Sequence, residues 1–590
     1  MFFHQNKQKN TIMKRYIKNV VFASAAAMTL LCNTACIEET TPKDMAVPGQ
    51  IASDSKSLEY LANSLPSFLT TWDTYGETYY TQDWGYPCQM YMRDLLCADF
   101  PMSDNGYNYW IYTEDGTSLR YAYYYAYYYY YNFIKNANNV ISIGQQSVES
   151  GNESAKKYLG QGYGYRAMLY LDLARLYEYK KTGVKTLDDE AKKLGCYGIT
   201  VPIVKETTPK QDLYNNPCVP FYTMYRFIMT DLNRAEESLA GYARPHKAFM
   251  DLSVIYGLKT RLWLEMGSRF EQSHDDLQKQ IDADNADDGY DKLGIASAND
   301  CFAKAAFYAQ KALGSDGYKP LNEEEWSNTS TGFNTANDAW IFGTLVNSKE
   351  QINESSWYTF LGWMAPETDW GMGTPQYNAY RCISTGLYNK IGKGDWRRAS
   401  WINPDDAGKT TVPSGYRTTV SGEKWATLPA YCNLKFRAGS GNLTDLTVGL
   451  VASLPLMRVE EIQFDYFEAL AHTQGVATAA AALQEWVNKN RYTDGSYTCT
   501  ATTMDDFISA LMTQRRIELW GEGLVFFDYK RLNLPVTRKY SGSNYAASMQ
   551  LNSYDGYVAP WMNYMIPETE KDHNPAVIVG PNPSGAITAE

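Results

Sequence analysis

Histidine is nearly absent, with five in 590 residues. His4, His246, His274, His472 and His573 stand alone, with no H-E-x-x-H spacing, so a histidine-centred zinc or acid-base site has no footing. No G-x-x-x-x-G-K-[ST] loop is present, which removes the common nucleotide-hydrolysing cradle. Positive charge is scarce as well. With 54 Lys and Arg against 66 Asp and Glu the net charge is −12, and no basic run could displace counterions from phosphate, which excludes nucleic acid as partner. Long hydrophobic runs are missing too. Mean hydropathy is −0.44, and the one apolar run, Val20 to Leu31, is too short for a permanent membrane span. The ten cysteines show no C-x-x-C spacing, so neither a zinc knuckle nor a disulfide scaffold is indicated, although a pairing of Cys88 with Cys97 is open outside the cytoplasm. The aspartates Asp282, Asp284, Asp287, Asp288 and Asp291 fail the calcium-loop pattern in either register and read as a solvated loop. No cofactor and no metal are expected.

Aromatic residues are abundant: 49 Tyr, 21 Phe and 15 Trp. Tyrosine and tryptophan combine an apolar face with a polar tip and suit wet recognition surfaces. At the N-terminus, Lys14, Arg15 and Lys18 precede the apolar run, and Ala35 stands before Cys36. That order reads as a lipoprotein signal over residues 1–35 with Cys36 as the lipidated residue, followed by a surface-anchor linker over 36–55.

From there the chain reads as one large, mainly α unit over 56–590. Helical spacing is expected over Ser57–Leu69, Leu119–Ile143, Glu153–Tyr179, Phe221–Leu239, Lys247–Met266, Asn299–Leu313, Leu456–His472 and Thr478–Arg491. Nine tyrosines between Tyr121 and Tyr131 cover every face of the second helix, which implies that other helices surround it. Paired helices with alternating alanines and large aromatics predict a tetratricopeptide-like hairpin scaffold over about 119–315 and 456–532. Two aromatic-rich irregular regions, about 70–116 and 318–451, interrupt or precede it. They are the expected ligand-binding loops, since aromatic content of this kind argues against disorder.

Gln514 to Leu532 (QRRIELWGEGLVFFDYKRL) is an amphipathic helix broken by Gly521 and Gly523 and folded back on its apolar face. It resembles the closing signature of the SusD/RagB family of bacterial surface lipoproteins, E-R-R-x-E-L followed by E-G-x-R-x-x-D-L-x-R. Arg515, Arg516, Glu518, Leu519, Glu522, Gly523, Asp528 and Arg531 match, while Gln514 replaces the opening acid and Val525 the middle arginine. Further resemblances follow the family's order: YGYRAMLYLDLARLYEY around Arg166 and Asp172, Val201-Pro202-Ile203, FIMTDLNRAEESL from Phe227, Arg458 with Glu461 and Glu468-Ala469, Asn488 with Arg491, and Met565-Ile566-Pro567, Glu570 and Asn574-Pro575. Glu460 stands where the family has alanine.

The resemblance implies a non-enzymatic glycan-binding lipoprotein at the cell outer membrane. It would capture oligosaccharides and deliver them to a SusC-like TonB-dependent transporter; Glu38 and Glu39 after Cys36 go with surface display in such lipoproteins. Sugar faces stack on indole and phenol rings while carboxylates and amides take the hydroxyls. The expected stacking rings are Trp84, Tyr86, Trp110, Trp363 and Trp370, with Asp83, Asn108 and Asp369 as polar neighbours. A RagB-like peptide binder on the same scaffold is the alternative. A surface glycoside hydrolase is a further one, since 66 acids leave open a carboxyl pair whose spacing is a spatial property. Arg515 and Glu518 are expected to be scaffold.

Overall fold

The structure is a computed structural model and describes residues 55–72, 82–102, 110, 119–315 and 317–585. Helices α1 (Ser55–Phe68), α2 (Tyr86–Leu95) and α3 (Leu119–Glu149) lead into α4 (Lys156–Tyr177) and α5 (Lys185–Leu194). Then come the strands β1 (Ile199–Pro202) and β2 (Cys218–Pro220), and helices α6 (Phe221–Ser238), α7 (Leu252–Gln272), α8 (His274–Ala283) and α9 (Ala298–Leu313). A long irregular insertion is entered through β3 (Trp340–Gly343) and left through β4 (Pro455–Arg458). Helices α10 (Val459–Gln474), α11 (Val476–Asn490), α12 (Met504–Glu518) and α13 (Val525–Arg531) complete the scaffold.

Each long helix lies along its neighbours in the series: α3 on α4, α4 on α6, α7 on α9, α9 on α10, and α10 on α11 and α12. This stacking of hairpins is the architecture that the helical periods imply. Close approach within a pair has a visible cause. A Cβ on Gly162 of α4 would stand 2.7 Å from Ile141 Cγ1 of α3, so only glycine lets the two backbones meet there. Of the tyrosines on α3, Tyr123, Tyr125, Tyr127, Tyr129 and Tyr130 are buried. Burial is tolerable because phenol tips find acceptors: Tyr123 donates to Trp561 O, Tyr129 to Phe68 O, Tyr130 to Asp172 and Tyr131 to Pro202 O.

Several boundaries differ from the sequence reading, each for a local reason. α7 begins at Leu252 rather than at Lys247 because the Asp251 carboxylate accepts from the Ser253 and Val254 amides and caps it. Leu456 to Arg458 is strand, not helix, and pairs antiparallel with β3, Trp340 opposite Arg458 and Gly343 opposite Pro455. α2 is a helix inside a stretch that reads as loop, and all ten of its residues are buried. The acidic loop is solvated at Asp282, Asp287, Asp288 and Asp291 but not at Asp284, which is buried and accepts from the Leu293 and Gly294 amides. Cys88 and Cys97 are both free thiols at opposite ends of α2. Each sulfur donates to a carbonyl, Cys88 to Gln82 O and Cys97 to Arg93 O. Among the described residues no helix is long and apolar enough to cross a membrane.

Candidate ligand-binding face

The insertion between β3 and β4 carries a cluster of half-buried aromatics, Trp357, Tyr358 and Tyr377. Its polar run Asn353-Glu354-Ser355-Ser356 ends in a 3-10 turn over Ser356–Tyr358, and the Thr359 hydroxyl then caps a short helix, Phe360–Met364, by accepting from the Gly362 amide at 3.1 Å. Trp363 points inward from that helix and is fully buried, its indole N–H donating to Trp357 O at 3.1 Å. Trp357 stands edge-on against Trp363, with ring centroids 6.2 Å apart, and also meets Tyr377 at 6.5 Å. Trp357 and Tyr377 are both half-buried, so a braced pair of rings reaches the surface.

The next residue, Tyr358, lines an open cleft where Trp72, Gln351, Asn353, Thr70, Thr344 and Thr359 stand among apolar side chains, Val346, Ile352, Leu450 and Leu454. Trp72 is 37% exposed. Rings beside carboxamides and hydroxyls, with no charged group in the lining, can offer stacking faces and neutral hydrogen-bond partners but no acid-base pair.

The expectation of stacking rings is corrected at four positions. Trp84, Tyr86, Trp110 and Trp363 are each 3% exposed or less. They are interior because α2 is packed on all sides. Trp84, Tyr91, Trp110 and Trp363 form one cluster with centroids 5.0 to 6.4 Å apart. Tyr86 donates to Asp172 Oδ2 at 2.7 Å, and burial pushes its phenol up to about 12. Asp83 is buried too. Asp369 is exposed and pairs with Lys424 at 3.0 Å, and the neighbouring Trp370 is half-buried, its ring against Gly449, where a Cβ would lie 2.5 Å from Cζ2. Asn108 and Cys36 lie outside the described residues. Of the rings that reach this surface, Trp370 was expected, while Trp72, Trp357, Tyr358 and Tyr377 were not singled out as a site. For Trp357 and Tyr358 the signal is their adjacency at the end of a polar run.

Behind this face lies a buried ion network assembled from the closing signature. Glu518 accepts from Arg397 Nη1 and Arg491 Nε at 2.8 Å and from Arg458 Nη1 at 3.1 Å, and its carbonyl accepts from Lys435 Nζ at 2.8 Å. Arg458 also donates to Glu522 at 2.8 Å and pairs with Glu460 at 2.7 Å; Arg491 donates to Glu460 at 3.0 Å. Arg397 is gripped by Asp395 at 2.7 Å and by Gln514 Oε1 at 2.6 Å. Burial alone would raise the Glu518 carboxyl, but Arg491, Arg458 and Arg397 hold it well below the ordinary range. Burial pushes Lys435 down to about 8 despite Glu522.

Alongside, Arg515 bridges Asp465 and Asp528, and Arg531 bridges Asp528 and Glu468. Gly523 (φ 68°) makes the fold-back: a Cβ there would lie 2.4 Å from Met90 Cα, and its amide donates to Asp94 at 2.8 Å. Arg515 and Glu518 are thus sealed inside the protein, away from any substrate. No group of three or more His, Cys, Asp or Glu among the described residues is placed to hold a metal ion.

The architecture is a helical-hairpin scaffold with an aromatic insertion clamped by a buried arginine–carboxylate network. Residues 316–589, just under half of the chain, match the model of the SusD family. The likeness of fold covers most of the chain. A SusD-like carbohydrate-binding protein of Bacteroides vulgatus matches with a TM-score of 0.63 at 19% identity, over 88% of this chain and 97% of that one. A SusD superfamily protein of Bacteroides thetaiotaomicron matches at 0.59 and 18%, over 89% and 99%. A laminarin-binding SusD-like protein matches at 0.59 and 15%, over 90% and 99%. A search of curated proteins returns no match.

Proposed function

We propose that this protein captures oligosaccharides on the face formed by Trp72, Trp357, Tyr358 and Tyr377, with Trp370 and Asp369 as an outlying ring and polar neighbour. The observation that carries the reading is the Trp357–Tyr377 pair, braced from behind by the buried Trp363 and followed by Tyr358, which lines a cleft where amides and hydroxyls stand among apolar side chains. Neutral donors and acceptors beside ring faces match the alternation of C–H faces and hydroxyls on a sugar. The likeness to a carbohydrate-binding and a laminarin-binding relative supports the same ligand class. Held at the cell outer membrane by a lipid on Cys36, the protein would hand its cargo to a SusC-like TonB-dependent transporter. The order of signal, cysteine and folded unit in the sequence supports that arrangement.

Each stacked ring contributes about 1 kcal/mol, so Trp357→Ala should weaken binding roughly fivefold, as should Trp72→Ala. Calorimetric titration against laminarin and a panel of other glycans, with a peptide library in parallel, tests this. Saturable glycan binding that falls in both variants is expected. Binding of peptides with no response to any glycan would overturn the carbohydrate reading in favour of a RagB-like one. Incorporation of labelled palmitate that survives Cys36→Ala would remove the lipid anchor.

A further inference from the structure

Cys382 and Cys432 face each other across an antiparallel bridge in the insertion. The bridge is fixed from both sides: the Ile383 amide donates to Tyr431 O at 3.0 Å and the Asn433 amide to Arg381 O at 3.1 Å. Those bonds flank the cysteines and leave them as a non-hydrogen-bonded pair, the register in which opposed Cα atoms stand about 4.5 Å apart and side chains come closest. That separation lies within the range a disulfide spans. Burial, with Cys382 opposite, pushes the Cys432 thiol up.

The register cannot slip easily. Arg381, next to Cys382, is fully buried, pairs with Met102 on its other side and donates to the Ala379 carbonyl at 2.8 Å, while Asn433 pairs with Trp401. Cys382 is partly exposed and Cys432 is fully buried in a small hydrophobic cluster with Tyr380, Ile402, Trp425, Leu428 and Leu434.

We propose that Cys382 and Cys432 form a redox-active dithiol that small-molecule disulfides oxidise to a cross-strand disulfide. Cys382, as thiolate, attacks one sulfur of the small disulfide and expels one thiol, leaving a mixed disulfide on Cys382. Cys432 then loses its proton and attacks Cys382 Sγ, expelling the second thiol. One S–S bond is exchanged for another, both cysteine protons end on the two departing thiols, and two electrons pass to the small disulfide. The pairing of roles follows accessibility: the exposed sulfur is reached first and the buried one resolves it. Closure would staple residues 383–431 at their base, across the cluster that holds Ile402 and Trp425. An oxidising compartment outside the cytoplasm is where such a bond persists. The inference is independent of the ligand.

The test is incubation of the full chain in graded mixtures of oxidised and reduced glutathione, followed by non-reducing digestion and mass spectrometry. A linked peptide joining Cys382 and Cys432, lighter by two hydrogens, is expected, and tryptic cleavage at the exposed Lys409 and Arg417 should slow several-fold. Cys432→Ser should trap glutathione on Cys382. Wild-type protein that carries glutathione on Cys382 with Cys432 still free would overturn the proposal. So would both thiols surviving a mixture that oxidises the half-exposed Cys499. Neither result requires a variant to fold.

Discussion

Glu518→Gln removes one charge from the centre of the buried network and leaves its shape intact. In the wild type, Arg397, Arg458, Arg491 and Lys435 face Asp395, Glu460, Glu518 and Glu522, four cations against four carboxylates, all sealed from water. The variant leaves four against three and turns a carboxamide N–H₂ toward a guanidinium. Removing one partner of a buried ion pair costs about 3–5 kcal/mol, and the misdirected donor places this case toward the upper end. A folded unit of roughly 540 residues has an unfolding entropy of about 1.1 kcal/mol/K, so the expected fall in Tm is about 3–4 °C.

Differential scanning calorimetry reads the shift, with agreement between calorimetric and van't Hoff enthalpies as the check on a single transition. The sign with pH is fixed. A carboxyl held low when folded stabilises above its unfolded pKa of about 4.3 and loses that contribution as pH falls. The wild type therefore loses on acidification what the variant never had, and the gap between the two should begin to close below about pH 4 and narrow steadily with further acid. A Tm unchanged to within about 1 °C at neutral pH would refute the account of Glu518 as a buried charge that the network requires.

Gln514→Glu should lower Tm by several degrees, because it adds a fifth carboxylate beside Arg397. Adding Glu460→Gln to it should recover most of the loss; a double variant as unstable as the sum of the singles would show that charge balance is not what counts. Asp94→Asn tests the fold-back at Gly523. Burial pushes the Asp94 carboxyl up to about 7, so the folded wild type keeps a proton that the unfolded chain releases, and its contribution is full below about pH 3.9 and lost as pH rises toward about 7. The variant has no such loss, so its Tm relative to wild type should rise between about pH 4 and pH 7, and parallel curves would sink the assignment.

How much of this was legible depends on whether a residue's partners are near in sequence. Phe221 to Ser238 could be read almost to the residue, because its buried positions recur at helical spacing. α2 could not, since a helix buried on every face has no amphipathic period to detect. Leu456 to Arg458 continues the apolar pattern of α10 without a break, and only its pairing with Trp340 to Gly343, far upstream, makes it a strand. The same limit applies to the rings. Trp357 and Trp363 lie in one short segment, yet one is at the surface and the other inside. What separates them is contact with Tyr91 and Trp110, which sequence places elsewhere. Residue type marks the segment as aromatic; only packing says which ring is sealed inside.

The closing signature and the proposed binding face turn out to be two ends of one construction. Asp395, Arg397 and Lys435 belong to the insertion, Arg458 sits at its exit in β4, and all three cations converge on Glu518. The insertion is therefore gripped at several points by the C-terminal helices, which is how a long irregular segment can hold Trp357 and Tyr377 in fixed register without strands of its own. Two departures from the family pattern make sense together in this setting. Gln514 removes a carboxylate at the opening position, and Glu460 supplies one where alanine is usual, pairing with Arg458 and Arg491 and accepting from the Leu321 amide at 2.9 Å. Either change alone would leave an unmatched charge in the interior, at a cost of several kcal/mol. Made together they move a negative charge within the network and keep it neutral, so the constraint on this motif is the sum of the buried charge rather than the identity of any single acid.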